Sequence, residues 1–146
     1  MNLNLSVQLV QTSFNIVSMK TLRVVASIIE KDNKILVAKR LDGNIKDMWE
    51  FPGGKYEENE TGIEAIKREI KEELSVDIKV EKYLCTIYHS YEEFDLLMDC
   101  FVCSLIDEDI ILHNHSAYKW IDPNTEIEFA PADKKVIKEY LTSISQ

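Results

Sequence analysis

Trp49-Glu50-Phe51-Pro52-Gly53-Gly54-Lys55 stands directly before the most acidic stretch of the chain. The protein has four glycines and three prolines among 146 residues, and two of those glycines and one proline fall within these seven positions. Glycine lets another group approach the backbone and proline sets where the chain turns, so this density marks a shaped loop. Residues 57–77 follow with eight acids (Glu57, Glu58, Glu60, Glu64, Glu69, Glu72, Glu73, Asp77) and three bases (Lys67, Arg68, Lys71). That is −5 of the chain's net −9 in 21 residues. A solvated helix face is the ordinary explanation of such a run. The loop in front of it calls for a different one.

Outward from this centre, residues 61–74 have Ile63, Ile66, Ile70 and Leu74 at helical spacing and predict an amphipathic helix. Upstream, residues 22–30 and 35–40 are β-branched runs around Lys31-Asp32-Asn33-Lys34, the pattern of a hairpin. Downstream, residues 78–89 and 94–105 read as two strands joined by a polar turn. Residues 117–121 read as a short strand, and 131–144 as a terminal helix with Pro131 at its start. Strands interleaved with helices predict an α+β fold, a mixed sheet flanked by helices. Residues 1–18 contain no charge and alternate Leu3, Leu5, Val7 and Leu9 with polar residues; they are expected to be a dispensable extension or an extra edge strand. The folded domain is expected over residues 19–146.

The composition narrows the function class. With 45% apolar residues the chain can bury the core of one domain. Seventeen bases against 26 acids argue against a nucleic-acid polymer or an anionic membrane surface as partner. No apolar run approaches the length of a membrane span. Three cysteines without framework spacing suit a reducing compartment, so a cytoplasmic protein is expected, as monomer or homodimer. Cys100 and Cys103 sit three apart in a predicted strand and face opposite sides, which rules out a shared metal and leaves them as core residues. His113 and His115 have no third ligand nearby and are expected at the surface.

On a helix, Glu69, Glu72 and Glu73 share one face, next to the apolar stripe. Carboxylates roughly 6 Å apart repel by about 3 kcal/mol per pair at an effective dielectric near 20. Arg68 is the only arginine of the helix, and one guanidinium is not expected to neutralise three carboxylates together with Glu60. A hard divalent cation with oxygen ligands fits better: Mg²⁺, with Mn²⁺ as a substitute. Such ions would also let an acidic protein hold a polyphosphate.

Gly54, five residues, Glu60, seven residues, then Arg68-Glu69-Ile70-Lys71-Glu72-Glu73-Leu74-Ser75-Val76 resembles the Nudix box. Every charged position matches, and Ser75 stands where the family has a glycine. The Trp49 to Gly54 loop resembles the MutT-like branch. The segments His115-Ser116-Ala117-Tyr118-Lys119-Trp120 and Ala130-Pro131-Ala132-Asp133 look like the CTP pyrophosphohydrolase branch, with Asn114 where that branch commonly has Glu. The resemblance implies an α/β/α sandwich and divalent-metal hydrolysis of a nucleoside diphosphate linked to another moiety. It further implies attack at the β-phosphorus of a nucleoside triphosphate, giving monophosphate and pyrophosphate.

By the same resemblance the Gly54 carbonyl and Glu69, Glu72 and Glu73 hold metal. Glu69, with Glu72 behind it, serves as general base, and Arg68 braces Glu60. Lys39 falls where relatives carry a phosphate-contacting arginine. Asn44, Glu50, Phe51, Pro52 and Gly53 are expected against the substrate. Asp133 is expected either to read the base, as an ionised acceptor suited to cytosine or oxidised guanine, or to cap the last helix. Dinucleoside polyphosphates or nucleotide-sugars are the alternative substrates, with Tyr91 near a position where such hydrolases carry tyrosine. A non-catalytic nucleotide-binding module is the remaining alternative.

Overall fold

A computed structural model describes residues 20–43 and 46–146. The expectations for residues 1–18 and for Asn44 lie outside the described residues. Seven strands and two helices form within them: β1 (Lys20–Lys31), β2 (Lys34–Arg40), β3 (Trp49–Glu50), β4 (Gly53–Lys55), α1 (Gly62–Leu74), β5 (Ile78–Ser90), β6 (Phe94–Leu105), β7 (His115–Ile121) and α2 (Pro131–Ile144). The strands make one mixed sheet in the order β3-β2-β1-β6-β5, with β4 also paired to β1 and β7 to β2. β1 and β6 run parallel at its centre, and the other pairs are antiparallel.

Strand alternation divides the core into two layers. Ala26 and Ile28 of β1, Ile35 and Val37 of β2, and Met98, Cys100 and Val102 of β6 pack with Ala132, Val136 and Tyr140 of α2. Val25, Ile29, Leu36, Phe101 and Cys103 point the other way and pack with Ala65, Ile66, Ile70 and Leu74 of α1. Cys100 and Cys103 therefore lie buried on opposite faces, as their spacing predicts.

Local chemistry sets the element ends. Asp32 and Asn33 both take positive φ, 52° and 65°, and close the β1–β2 hairpin between the paired Lys31 and Lys34. Thr61 caps α1: its side chain accepts from the Glu64 N–H, and the Glu64 carboxylate accepts from the Thr61 N–H at 2.9 Å. Ser75 ends the helix in the left-handed region (φ 59°, ψ 31°) and donates its N–H to Lys71. Its hydroxyl lies 2.7 Å from His113 Nε2.

Three expectations need correction. Ile63 is 48% exposed, and Ala65 fills the core in its place. Periodicity gives the direction of a side chain but not how far the sheet extends beneath the first turn. The loop at 49–55 contains two short strands, β3 and β4, which its glycines and proline concealed. Asp133 is not the helix cap. Ala130 occupies that position without a side-chain bond, and Asp133 is buried in the first turn.

Two truncations test this packing. Ile70→Ala removes a fully buried side chain and should cost about 2–5 kcal/mol in urea unfolding. Ile63→Ala should cost less than about 1 kcal/mol. Equal losses would contradict the assignment of the buried face.

Candidate active site

The site begins where α1 meets β4. Gly53 and Gly54 pair with Ala26 and Val25 of β1. A Cβ on Gly53 would overlap the Val25 carbonyl, and one on Gly54 would overlap the Glu69 carboxylate. Both glycines are needed for close approach: the first to seat the loop on the sheet, the second to let the helix acid reach the loop backbone. The Pro52 carbonyl is held by the Ser27 N–H at 2.9 Å and the Ser27 hydroxyl at 2.8 Å.

Arg68 ties the same loop to the helix. Its Nε donates to Glu60 Oε2 at 2.6 Å, and its Nη2 to Glu60 Oε1 at 2.9 Å and to the Lys55 carbonyl at 2.9 Å. Its Nη1 donates to Glu69 at 3.0 Å and Glu72 at 3.2 Å, and Glu57 lies 3.5 Å from Nε. One guanidinium thus reaches four carboxylates, more than the sequence suggested, because its five donors fan out in a plane. The Arg68 hydrogen bond holds the Glu60 carboxyl down at about 2, and the guanidinium is itself held further in its charged form.

Glu73 is outside this clamp. Its carboxyl is pushed up to about 7, first by burial and then by the charges of Glu50 and Glu69, against the opposing influence of His115 and Asn114. Its Oε1 is buried without a hydrogen-bond partner among the described residues. Burial likewise raises the Glu69 carboxyl, with Arg68 opposing. Glu72 is exposed.

A cleft of about 570 Å³ opens beside these groups. Arg40, Glu50, Lys55 and Glu73 gather with Gly54 at a charged end; Leu22, Val24, Phe51, Leu96, Met98 and Tyr91 supply an apolar wall, with Asp133 in the lining and Glu92 and Glu93 beside Tyr91. The Phe51 ring stacks on Phe129 at 5.3 Å, and the Phe51 N–H donates to Asp133 Oδ1 at 2.8 Å. Burial raises the Asp133 carboxyl well above the usual carboxylate range, with the Glu50 charge adding to it. Asp133 thus meets the cleft from a buried position, where the charged form is disfavoured.

Glu50, Phe51, Gly53, Gly54, Glu73 and Asp133 line this one cleft, and Glu69 meets it at Gly54. Lys39 and Pro52 do not line it. Lys39 is paired to Trp49 and sits 5.7 Å from that ring, on the α2 face of the sheet. The next residue, Arg40, faces α1 and supplies the cation. His115, expected at the surface, is buried: its Nε2 lies 2.8 Å from Glu50 Oε2. Sequence reasoning missed Arg40 and His115: Ile35, Leu36, Val37 and Ala38 are all apolar, so alternation along that strand does not say which face bears the site.

Residues 24–139 match the NUDIX domain. The chain belongs to the Nudix family. It is 34% identical over 128 residues to the CTP pyrophosphohydrolase of Escherichia coli, covering 84% of this chain and 93% of that protein. It is 35% identical over 85 residues to the 8-oxo-dGTP diphosphatase of Proteus vulgaris, covering 57% and 76%. The solution structure of the E. coli ORF135 protein superposes with a TM-score of 0.76 at 30% identity, over 87% of this chain and 93% of that one. This Nudix protein is a hydrolase of phosphoric anhydrides. No helix among the described residues is long and apolar enough to cross a membrane.

Nudix hydrolases use divalent metal, and the donor set here fits a hard cation. It comprises all-oxygen ligands, a buried Glu73 oxygen without a partner among the described residues, and a Glu69 carboxylate set against Gly54, where any side chain would exclude it. Among the described residues no three acidic, histidine or cysteine side chains already converge into a closed cage, because Arg68 engages Glu69 and Glu72.

The Arg68–Glu60 pair has a pH signature. Glu60 is held below its ordinary value, so its contribution to stability is present above about 4.5 and lost as pH falls toward about 2. Urea unfolding should find wild type more stable than Glu60→Gln at pH 6, with the difference shrinking on acidification below pH 4.5. A difference independent of pH would contradict the ion pair.

Proposed function

We propose that the protein is a Mg²⁺-dependent pyrophosphohydrolase of nucleoside triphosphates, ordinary or modified, that releases the monophosphate and pyrophosphate. The preferred base is cytosine or an oxidised guanine. One observation carries this reading. A single cleft joins an apolar wall, with the Asp133 carboxyl in it, to a charged end made of Arg40, Gly54 and Glu73. A base fits the first part and a triphosphate the second. The relatives named CTP pyrophosphohydrolase and 8-oxo-dGTP diphosphatase support the same assignment.

The Gly54 carbonyl and the carboxylates of Glu69, Glu72 and Glu73 would hold the cations. Bound there, divalent ions neutralise charge on the phosphates and make water more acidic at neutral pH. Arg40 binds the phosphate chain from the opposite side of the charged end. Glu69 takes the proton of the water that attacks the β-phosphorus; it is nearly buried and lies against Gly54, whereas Glu72 is exposed. As the water oxygen bonds to phosphorus, the bond to the α–β bridging oxygen breaks and the monophosphate leaves. Arg68 keeps the Glu69 carboxylate and the loop carbonyl side by side throughout. The Asp133 carboxyl hydrogen-bonds the base edge from the apolar part of the cleft.

A panel of ordinary, oxidised and methylated nucleoside triphosphates with Mg²⁺ tests the reaction. Monophosphate and pyrophosphate should appear from one or two members, and Glu73→Gln should lower kcat by about 10²–10³-fold with the fold intact. Inorganic phosphate as the product would contradict the reading. Turnover only of dinucleoside polyphosphates or nucleotide-sugars would move the assignment to those substrates.

Asp133→Asn tests the base contact separately. Asn keeps an acceptor and adds a fixed donor, so the preference among bases should shift if the carboxyl reads the base. An unchanged order and rate across the panel would show that Asp133 does not touch the base.

A further inference from the structure

Arg40, Glu50, His115 and Glu73 form a polar chain beside the cleft, half-exposed at Arg40 and buried at His115. Arg40 Nη1 lies 3.4 Å from Glu50 Oε1, and His115 Nε2 lies 2.8 Å from Glu50 Oε2. On the other side of the imidazole, His115 Nδ1 faces Glu73 Oε1 at 4.0 Å. Both of these atoms are buried, and neither has a hydrogen-bond partner among the described residues. Two unpartnered polar atoms facing each other in the interior are costly unless they work together.

The backbone delivers His115 to this place by two devices. The β2–β7 register shifts between Lys39 and Arg40: Ala117 pairs with Lys39, yet His115 pairs with Arg40, leaving Ser116 as the extra residue. Without that bulge, alternation would send His115 toward α2 with Ala117; with it, His115 shares the α1 face with Arg40 and Glu50. The approach to β7 is tied to the end of α1 as well. The Ile111 N–H donates to the Leu74 carbonyl at 2.9 Å, and the His113 N–H to the Glu73 carbonyl at 3.3 Å. His115 and Glu73 are thus held at a set separation by main-chain bonds.

We propose that His115 is a positioning residue for the cation site, anchored by Glu50 through Nε2 and orienting the Glu73 carboxylate through Nδ1. The inference rests on Glu73 being a cation ligand. A ligand carboxylate with one oxygen directed at a fixed ring nitrogen keeps the other for the ion, the usual service of an outer partner in a metal site.

Titration of Mn²⁺ into substrate-free protein tests it. In His115→Asn the amide stands near the place of Nδ1 and still faces Glu73; in His115→Gln it reaches the place of Nε2 and serves Glu50 alone. The Asn variant should bind Mn²⁺ within about threefold of wild type, and the Gln variant about 10–100-fold more weakly. Equal affinity in all three proteins overturns the proposal, and so does equal loss in both variants. Should either variant misfold, imidazole ¹⁵N spectra of wild type decide: Mg²⁺ should shift His115 Nδ1, and an unmoved resonance overturns the proposal. Glu73→Gln separates the two readings. If it binds Mn²⁺ like wild type, the cation-site assignment fails; if it alone loses Mn²⁺ while His115→Gln does not, only the role of His115 fails.

Discussion

The Arg68 guanidinium is the contact on which the rest of the site depends. It joins the loop after β4, through the Lys55 carbonyl and Glu60, to the acidic face of α1, through Glu69 and Glu72. The carboxylates are too close to be stable side by side without a positive partner. Arg68 supplies that partner and, because its donors lie in a plane, also sets the directions in which the acids point. The geometry of the catalytic face is therefore fixed before any ion arrives. Glu73, which the clamp does not reach, keeps a buried oxygen without a partner among the described residues.

The two faces of the sheet divide the work. The α2 face is largely apolar and ends in Phe51, Phe129 and the buried Asp133, where a base can be received. The α1 face carries the charges, because Glu50, Arg40 and His115 all point toward the helix that bears Glu69 and Glu73. The cleft runs between these two regions, and that is why one small domain can hold a base and a phosphate chain together. It also explains how a chain of net charge −9 handles an anionic substrate: its acids are concentrated where cations would mediate the contact.

Much of this was legible in the sequence, and the rest was hidden for identifiable physical reasons. Long periodic segments announced themselves: the terminal helix starts at Pro131 as read, and α1 and the β5–β6 pair lie where their patterns place them. The carboxylate face followed from helical spacing, and the Arg68–Glu60 brace from the resemblance to the Nudix box. Long-range pairings were not legible. His115 looked like a surface residue because its burial comes from a bulge and from Glu50, 65 residues earlier in the chain. Lys39 and Arg40 are adjacent, and only the sheet says which one turns to the site. Asp133 looked like a base reader or a helix cap, and only the fold shows it buried and bonded to the Phe51 N–H, with Ala130 at the cap position. Ser75 holds a left-handed turn usually left to glycine, with His113 against its hydroxyl, and no local rule would have found that partner.

The most direct test of the central claim is to locate the cations. Crystals grown with Mn²⁺ and a non-hydrolysable nucleoside triphosphate analogue should give anomalous peaks within about 2.0–2.3 Å of the Gly54 carbonyl and the carboxylates of Glu69 and Glu73, bridging to the phosphates. Mn²⁺ held only by groups outside this face, or a triphosphate bound with none at Gly54, would contradict it.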